Sequence, residues 1–118
     1  ADMAKPSFVR TLSEVTQRKT VKKELLGKNG KTYLATVVQE LVLQANSKPI
    51  EKGDKGYAYS GTDIETDLEY VITVPEHVEA RYGTTLIFRD VQGGTFNGKV
   101  WFKAESVELD LLDKAVEI

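Results

Sequence analysis

The sequence predicts an all-β domain with one short helix, folded as a five-stranded barrel. Three observations predict it: two segments alternate apolar and polar residues with period two, a short helical signal links them, and the hairpin phrase Asn-Gly-Lys-x-aromatic is written twice. At 118 residues the chain is long enough for one core and too short for two ordinary domains.

Each element follows from its residues. "TQRKTVKKELLG" (16–27) and "KTYLATVVQELVL" (31–43) flank Asn29-Gly30, a dipeptide favoured in type I′ turns because both central residues need positive φ. Thr32, Tyr33, Thr36, Val37, Val38 and Val42 favour a strand over a helix in the second segment. Residues 44–67 carry Pro49 and glycines among charges, and read as one long connection. "TDLEYVITVP" (66–75) sets Leu68, Tyr70, Ile72 and Val74 on one face, with Glu69, Val71 and Thr73 on the other. "PEHVEARYG" then predicts a two-turn helix over 76–82, with Pro75 leading in and Gly83 as the left-handed cap. "TTLIFRDV" (84–91) pairs Leu86 with Phe88, opposite Ile87, Arg89 and Val91. Gly93-Gly94 reads as a flexible turn. Asn97-Gly98 opens the last strand, with Val100, Phe102 and Ala104 on one face and Lys99, Trp101 and Lys103 on the other.

The order is strand, hairpin, strand, long loop, strand, helix, strand, hairpin, strand. Five strands with a helix between the third and fourth is the order of an OB-fold, with SH3-like barrels as the alternative. The expected domain spans residues 3–110; Ala1-Asp2 read as a cloning remnant and 111–118 as an acidic tail.

Composition bounds the function. No apolar run is long enough to span a bilayer, and the absence of cysteine excludes thiolate chemistry; an intracellular, cytoplasmic protein with no membrane partner is expected. The charge is lopsided: residues 1–60 hold eleven Lys and Arg against six Asp and Glu, and residues 61–118 hold five against twelve. Such asymmetry marks a basic binding face, or solvated charges clustered by chance. "GKNGKT" (27–32) resembles a phosphate loop, but Leu25 stands where that motif needs glycine and a strand follows where it needs a helix. His77 is the single histidine, beside Glu76 and Glu79, without the convergent partners of a metal or catalytic site. No cofactor, metal or enzymatic activity is expected.

A binding surface remains. Single-stranded nucleic acid is held by a basic groove and by aromatic rings on which bases stack. In "NGKTY" (29–33) Lys31 and Tyr33 share a strand face, and in "NGKVW" (97–101) Lys99 and Trp101 do the same, with Lys103 continuing the row. Arg18, Lys19, Lys22, Lys23 and Lys28 add the densest basic segment. Tyr57 and Tyr59 are further stacking candidates, or pins that hold the long loop; Tyr33 and Trp101 either face the ligand or pack inward. In an OB-fold the loops joining strands 1–2 and 4–5 carry oligonucleotides, and both Asn-Gly turns are expected there.

Residues 70–109, "YVITVPEHVEARYGTTLIFRDVQGGTFNGKVWFKAESVEL", resemble OB-fold proteins of Gram-positive phages and conjugative elements. With length and hairpin placement included, residues 3–110 are similar to the single-stranded DNA-binding proteins of lactococcal siphophages. The resemblance implies an OB-fold, binding of single-stranded DNA in phage replication or recombination in the cytoplasm, and a homodimer; a phage recombinase is a candidate partner that the sequence leaves open. The acidic end lacks the Asp-Asp-Asp-Ile-Pro-Phe tip of bacterial single-stranded DNA-binding proteins. The alternative is a protein-interaction or virion accessory module built on the same small barrel.

Overall fold

A computed structural model describes residues 12–27 and 29–110; Ala1-Asp2, Lys28 and the tail 111–118 lie outside the described residues. The described chain is mostly β-sheet with one short α-helix. It runs α1 (Leu12–Thr16), β1 (Val21–Leu26), β2 (Thr32–Ala45), β3 (Ile50–Glu51), a 3₁₀ turn (Gly53–Lys55), β4 (Tyr57–Asp63), β5 (Leu68–Val74), β6 (Thr85–Phe96), β7 (Lys99–Lys103) and β8 (Ser106–Leu109). Among the described residues no helix is long and apolar enough to cross a membrane.

Both hairpins expected from Asn-Gly form, with different turns. At the second, Asn97 (φ 52°) and Gly98 (φ 78°) sit directly between the paired Phe96 and Lys99, the two-residue turn with both φ positive. At the first, the Gly27 N–H donates to the Lys31 carbonyl at 2.8 Å, so three residues separate the last bonded pair rather than two. Gly30 (φ 82°) supplies the left-handed position and Asn29 Oδ1 accepts the Lys31 N–H at 3.0 Å.

The fourteen residues of β2 meet three partners in turn. β1 lies against residues 32–37, β6 against 38–44, and β4 against Gln44 and Ala45. The pairings run β2-β4-β5-β7-β6 and return to β2. All are antiparallel except the contact of β5 with β7, where Thr73 lies beside Lys103. β1, β3 and β8 lie outside this circuit, on β2, β4 and β6.

This strand order differs from the expected one in two ways. The 16–27 segment, expected as the first of five strands, is instead an extra strand outside the circuit. The long connection expected over 44–67 contains a circuit strand, β4. Ala58, Tyr59, Gly61 and Asp63 are its buried residues, and a Cβ on Gly61 would lie 2.9 Å from that of Leu43, so only glycine lets β4 approach β2 here.

The helix expected over 76–82 is not formed; the one α-helix precedes β1. Tyr59 gives the reason. Its hydroxyl donates to the Glu76 carbonyl at 2.7 Å and accepts the Val78 N–H at 3.0 Å, holding two backbone groups in a non-helical arrangement. Tyr57 adds an edge-on contact with His77, ring centroids 4.9 Å apart. A two-turn helix is marginal without tertiary help, so long-range bonds override the local signal. Burial pushes the Tyr59 phenol above its ordinary pKa, partly offset by the Val78 N–H.

The core lies inside the circuit: Val38, Leu41, Leu43, Tyr59, Ile72, Val74, Leu86, Phe88 and Val91 are buried together. Leu25, Ala35 and Val37 form a smaller cluster under the β1–β2 hairpin. Val91 was expected opposite Leu86 and Phe88, yet all three are buried. Asp90, at φ 54°, shifts the alternation of β6 by one residue.

Replacing Tyr59 with Phe removes both bonds to the 75–83 segment while keeping the ring. Equilibrium unfolding is expected to show a loss of about 1–3 kcal/mol, and a loss below experimental error would show that the segment is held by other contacts.

Candidate functional site

The β6–β7 hairpin is organised by two glycines and two rings. Gly93 pairs with Phe102 and Gly94 with Trp101. A Cβ on Gly93 would lie 2.7 Å from the Phe102 ring, and one on Gly94 would lie 3.0 Å from Trp101 Cζ2. Neither glycine takes positive φ, so each is required for space rather than for a turn. This corrects the expected flexible turn at Gly93-Gly94, which lies within β6. The neighbouring rings point to opposite faces, as a strand demands. Phe102 packs edge-on against buried Tyr70, centroids 5.1 Å apart, while Trp101 lies across Gly94 on the outside and keeps 39% exposure. Lys103 Nζ stands 5.9 Å from the centre of the Trp101 ring, within range of a cation–π contact.

Tyr33 reaches the same place from β2. Its hydroxyl accepts a hydrogen bond from Gln92 Nε2 at 2.9 Å, and Gln92 is the cross-strand partner of Lys103. Tyr33 keeps 36% exposure. Tyr33 and Trp101 therefore line one groove of about 700 Å³, together with Leu26, Lys55, Phe102 and Lys103. Asp54 and Glu105 also line it, so charge in the groove is mixed. Two copies of one five-residue phrase, far apart in sequence, present their rings to a shared space.

The other expected site residues divide. Lys19, Lys22, Lys31 and Lys99 are exposed. Lys31 lies two residues before Tyr33, and Lys99 two before Trp101. Lys22 and Lys23 are consecutive on β1 and face opposite ways; Lys23 is paired with Asp90 at 2.7 Å. Arg18 is held by Asp63 at 2.7 and 2.5 Å and by Glu65 at 3.0 Å. Asp63 is buried at the end of β4, so Arg18 serves as the counter-ion that permits that burial and ties the segment after α1 to the β4–β5 turn. Nearby, the buried Tyr70 hydroxyl finds no hydrogen-bond partner among the described residues, and its phenol pKa is raised by burial and by the Asp63 charge. Tyr59 is 1% exposed and offers no ring face to a ligand, and Tyr57 is half-buried against His77. Both tyrosines lie on β4 rather than in a long loop, and their contacts hold residues 76–78.

Sequence reasoning missed Lys55. It sits in the 3₁₀ turn after β3, in the stretch "KPIEKGDKG" whose three lysines were absorbed into a long loop. A strand assignment at Tyr57–Asp63 would have shown that this stretch joins two circuit strands. Among the described residues no group of three or more His, Cys, Asp or Glu is placed to hold a metal.

The two glycines separate core from surface. Gly93→Ala forces a Cβ into an inward ring and is expected to cost about 1–3 kcal/mol. Gly94→Ala presses on an indole free to tilt outward, so melting should change little while the emission of Trp101, the single tryptophan, shifts. Equal losses of stability in both variants would contradict the opposite facing of the rings.

No protein-family model, curated protein or solved structure matches the chain.

Proposed function

We propose that the chain is a non-catalytic, sequence-tolerant single-stranded DNA-binding protein built on a five-stranded OB-fold barrel. The observation that carries this reading is the meeting of Tyr33 and Trp101 in one groove, with the Lys103 ammonium over the indole. Exposed rings beside lysines are what an unpaired strand requires, since bases stack on the rings while the ammonium groups meet phosphates.

The pairing circuit supports the barrel. Numbering its strands β2, β4, β5, β6 and β7 as one to five gives neighbours 1-2-3-5-4-1, with the single parallel contact between three and five. In that numbering the loop joining strands one and two is residues 46–56, which carries Lys48, Lys52 and Lys55. The hairpin joining four and five is Asn97-Gly98. These are the two loops that OB-folds use for oligonucleotides. The Asn29-Gly30 hairpin supplies Lys31 and Tyr33 from outside the barrel, as an added wall.

Charge plays a limited part. Among the described residues, Lys31, Lys55, Lys99 and Lys103 are the exposed cations on or beside the groove, while Asp54 and Glu105 oppose them. Action in phage replication or recombination and homodimer formation rest on the family resemblance, a cytoplasmic setting rests on composition as well, and a recombinase is a candidate partner. A second reading, a protein-interaction module, is favoured by Leu26 and Leu34, which are 67% and 64% exposed on one face of the β1–β2 hairpin.

Titration with poly(dT) is expected to quench Trp101 emission. The logarithm of affinity should fall against the logarithm of salt with a slope of about −3 or shallower, the limit for four phosphates neutralised on a single strand. Replacing Lys31, Lys99 and Lys103 together with Ala should weaken binding and flatten the salt slope by about 2, with melting unchanged. Unchanged emission and mobility at low salt with micromolar protein would overturn the reading.

A further inference from the structure

Phe96 ends β6 with 72% of its surface exposed, and the core does not use it. Its position is not arbitrary. Phe96 pairs with Lys99, Gly94 with Trp101, and Gln92 with Lys103. Partners across an antiparallel pair share a face, and so do residues two apart on one strand. Phe96, Lys99, Trp101, Lys103 and Gln92 therefore stand on one face of the ribbon. Gly94 contributes no side chain to this face, and the indole occupies the vacant space. Tyr33 joins the row at its far end through Gln92.

The face reads in order Tyr33 at Gln92, Trp101 at Gly94, and Phe96 at the tip. Adjacent rungs on that face lie about 6.8 Å apart along β6, twice the stacked base step of about 3.4 Å along one strand. Such spacing suits an extended strand whose successive bases each rest on a separate ring. Lys103 and Lys99 stand at the first and third rungs, where phosphates between those bases would run. An exposed phenylalanine beside a lysine at a hairpin tip gains nothing from folding. It gains from a ligand that supplies a flat apolar surface and a negative charge together.

We propose that Phe96 is a third stacking ring, which extends the track on Tyr33 and Trp101 along the β6–β7 ribbon so that it holds at least three consecutive unpaired nucleotides. The inference rests on the single-strand-binding reading above and adds the residue and the direction in which the strand runs over the groove. The Asn97-Gly98 turn then has a defined role: it holds the ribbon in register so that ring and charge alternate up to its end.

Two variants test it. Phe96→Ala should melt as wild type does, because the ring is exposed, and should bind oligo(dT) about 5- to 100-fold more weakly, as for the loss of one stacked base. Its salt slope should be unchanged, since no charge is removed. In Trp101→Phe/Phe96→Trp the single fluorophore moves to the tip, and its emission should be quenched by oligo(dT). Wild-type affinity in Phe96→Ala, or unquenched tip emission in a complex visible by mobility shift, overturns the inference while the single-strand reading stands. A change in sedimentation of Phe96→Ala with unaltered oligonucleotide affinity also overturns it, by assigning the tip to contact with a second copy. Failure of the wild-type chain to bind oligo(dT) overturns both readings together.

Discussion

A β-strand has two hydrogen-bonding edges, and at Gln44 the chain uses both. Gln44 lies opposite Thr62 of β4 and opposite Thr85 of β6, so this residue is where the sheet meets itself. The long β2 strand makes that meeting possible, because its earlier residues are paired to β1 and β6 before β4 arrives at its end. The weakest link of the circuit is between β5 and β7, which pair only at Thr73 and Lys103. The two pairings of β2 also determine what lies near what. The 46–56 loop leaves β2 beside Gln44, and its 3₁₀ turn arrives at the groove that β7 lines from the other side.

Within that frame, the Gly93-Gly94 pair couples core and surface. Adjacent residues on a strand face opposite ways, and here each lacks a Cβ where a ring crosses from β7. One glycine admits Phe102 against Tyr70 inside; the other seats Trp101 outside. The indole is thereby held by backbone rather than by a surrounding pocket, which leaves a face of it exposed. Tyr33, tethered by Gln92, is held to the same groove by a single hydrogen bond. The resulting surface is mostly apolar, with lysines and carboxylates both at its rim.

Much of this was legible in the residues. The β-rich class, both hairpins, the alternation of Leu68–Val74 and the outward set Lys99, Trp101 and Lys103 follow from period and turn chemistry, whereas Val100, expected inward with Phe102, is exposed. What was not legible depended on distant partners. β4 was hidden because "YAYSGTD" carries glycine and aspartate at inward positions, and Asp63 is tolerated there only with Arg18 against it. The helix over 76–82 failed because a tyrosine seventeen to nineteen residues earlier binds its backbone. Gly93-Gly94 read as a turn because a glycine pair usually is one; the rings that make it a strand lie on β7. Of the site, the shared groove for Tyr33 and Trp101 matches the repeated phrase. The lysine count did not translate, since Arg18 and Lys23 are committed to carboxylates and Lys55 was overlooked.

In the proposed reading, rings and lysines from separate hairpins act as one surface for an unpaired strand. Amide chemical-shift mapping with a short oligothymidylate tests it most directly. Perturbed residues are expected to cluster at Lys31–Tyr33, Gly53–Lys55, Gln92–Phe96 and Lys99–Lys103, with the Trp101 indole N–H among the largest shifts. Perturbations confined to residues outside the groove, such as Glu40, Arg89 and Glu108, or no perturbation with the oligonucleotide in excess, would contradict it.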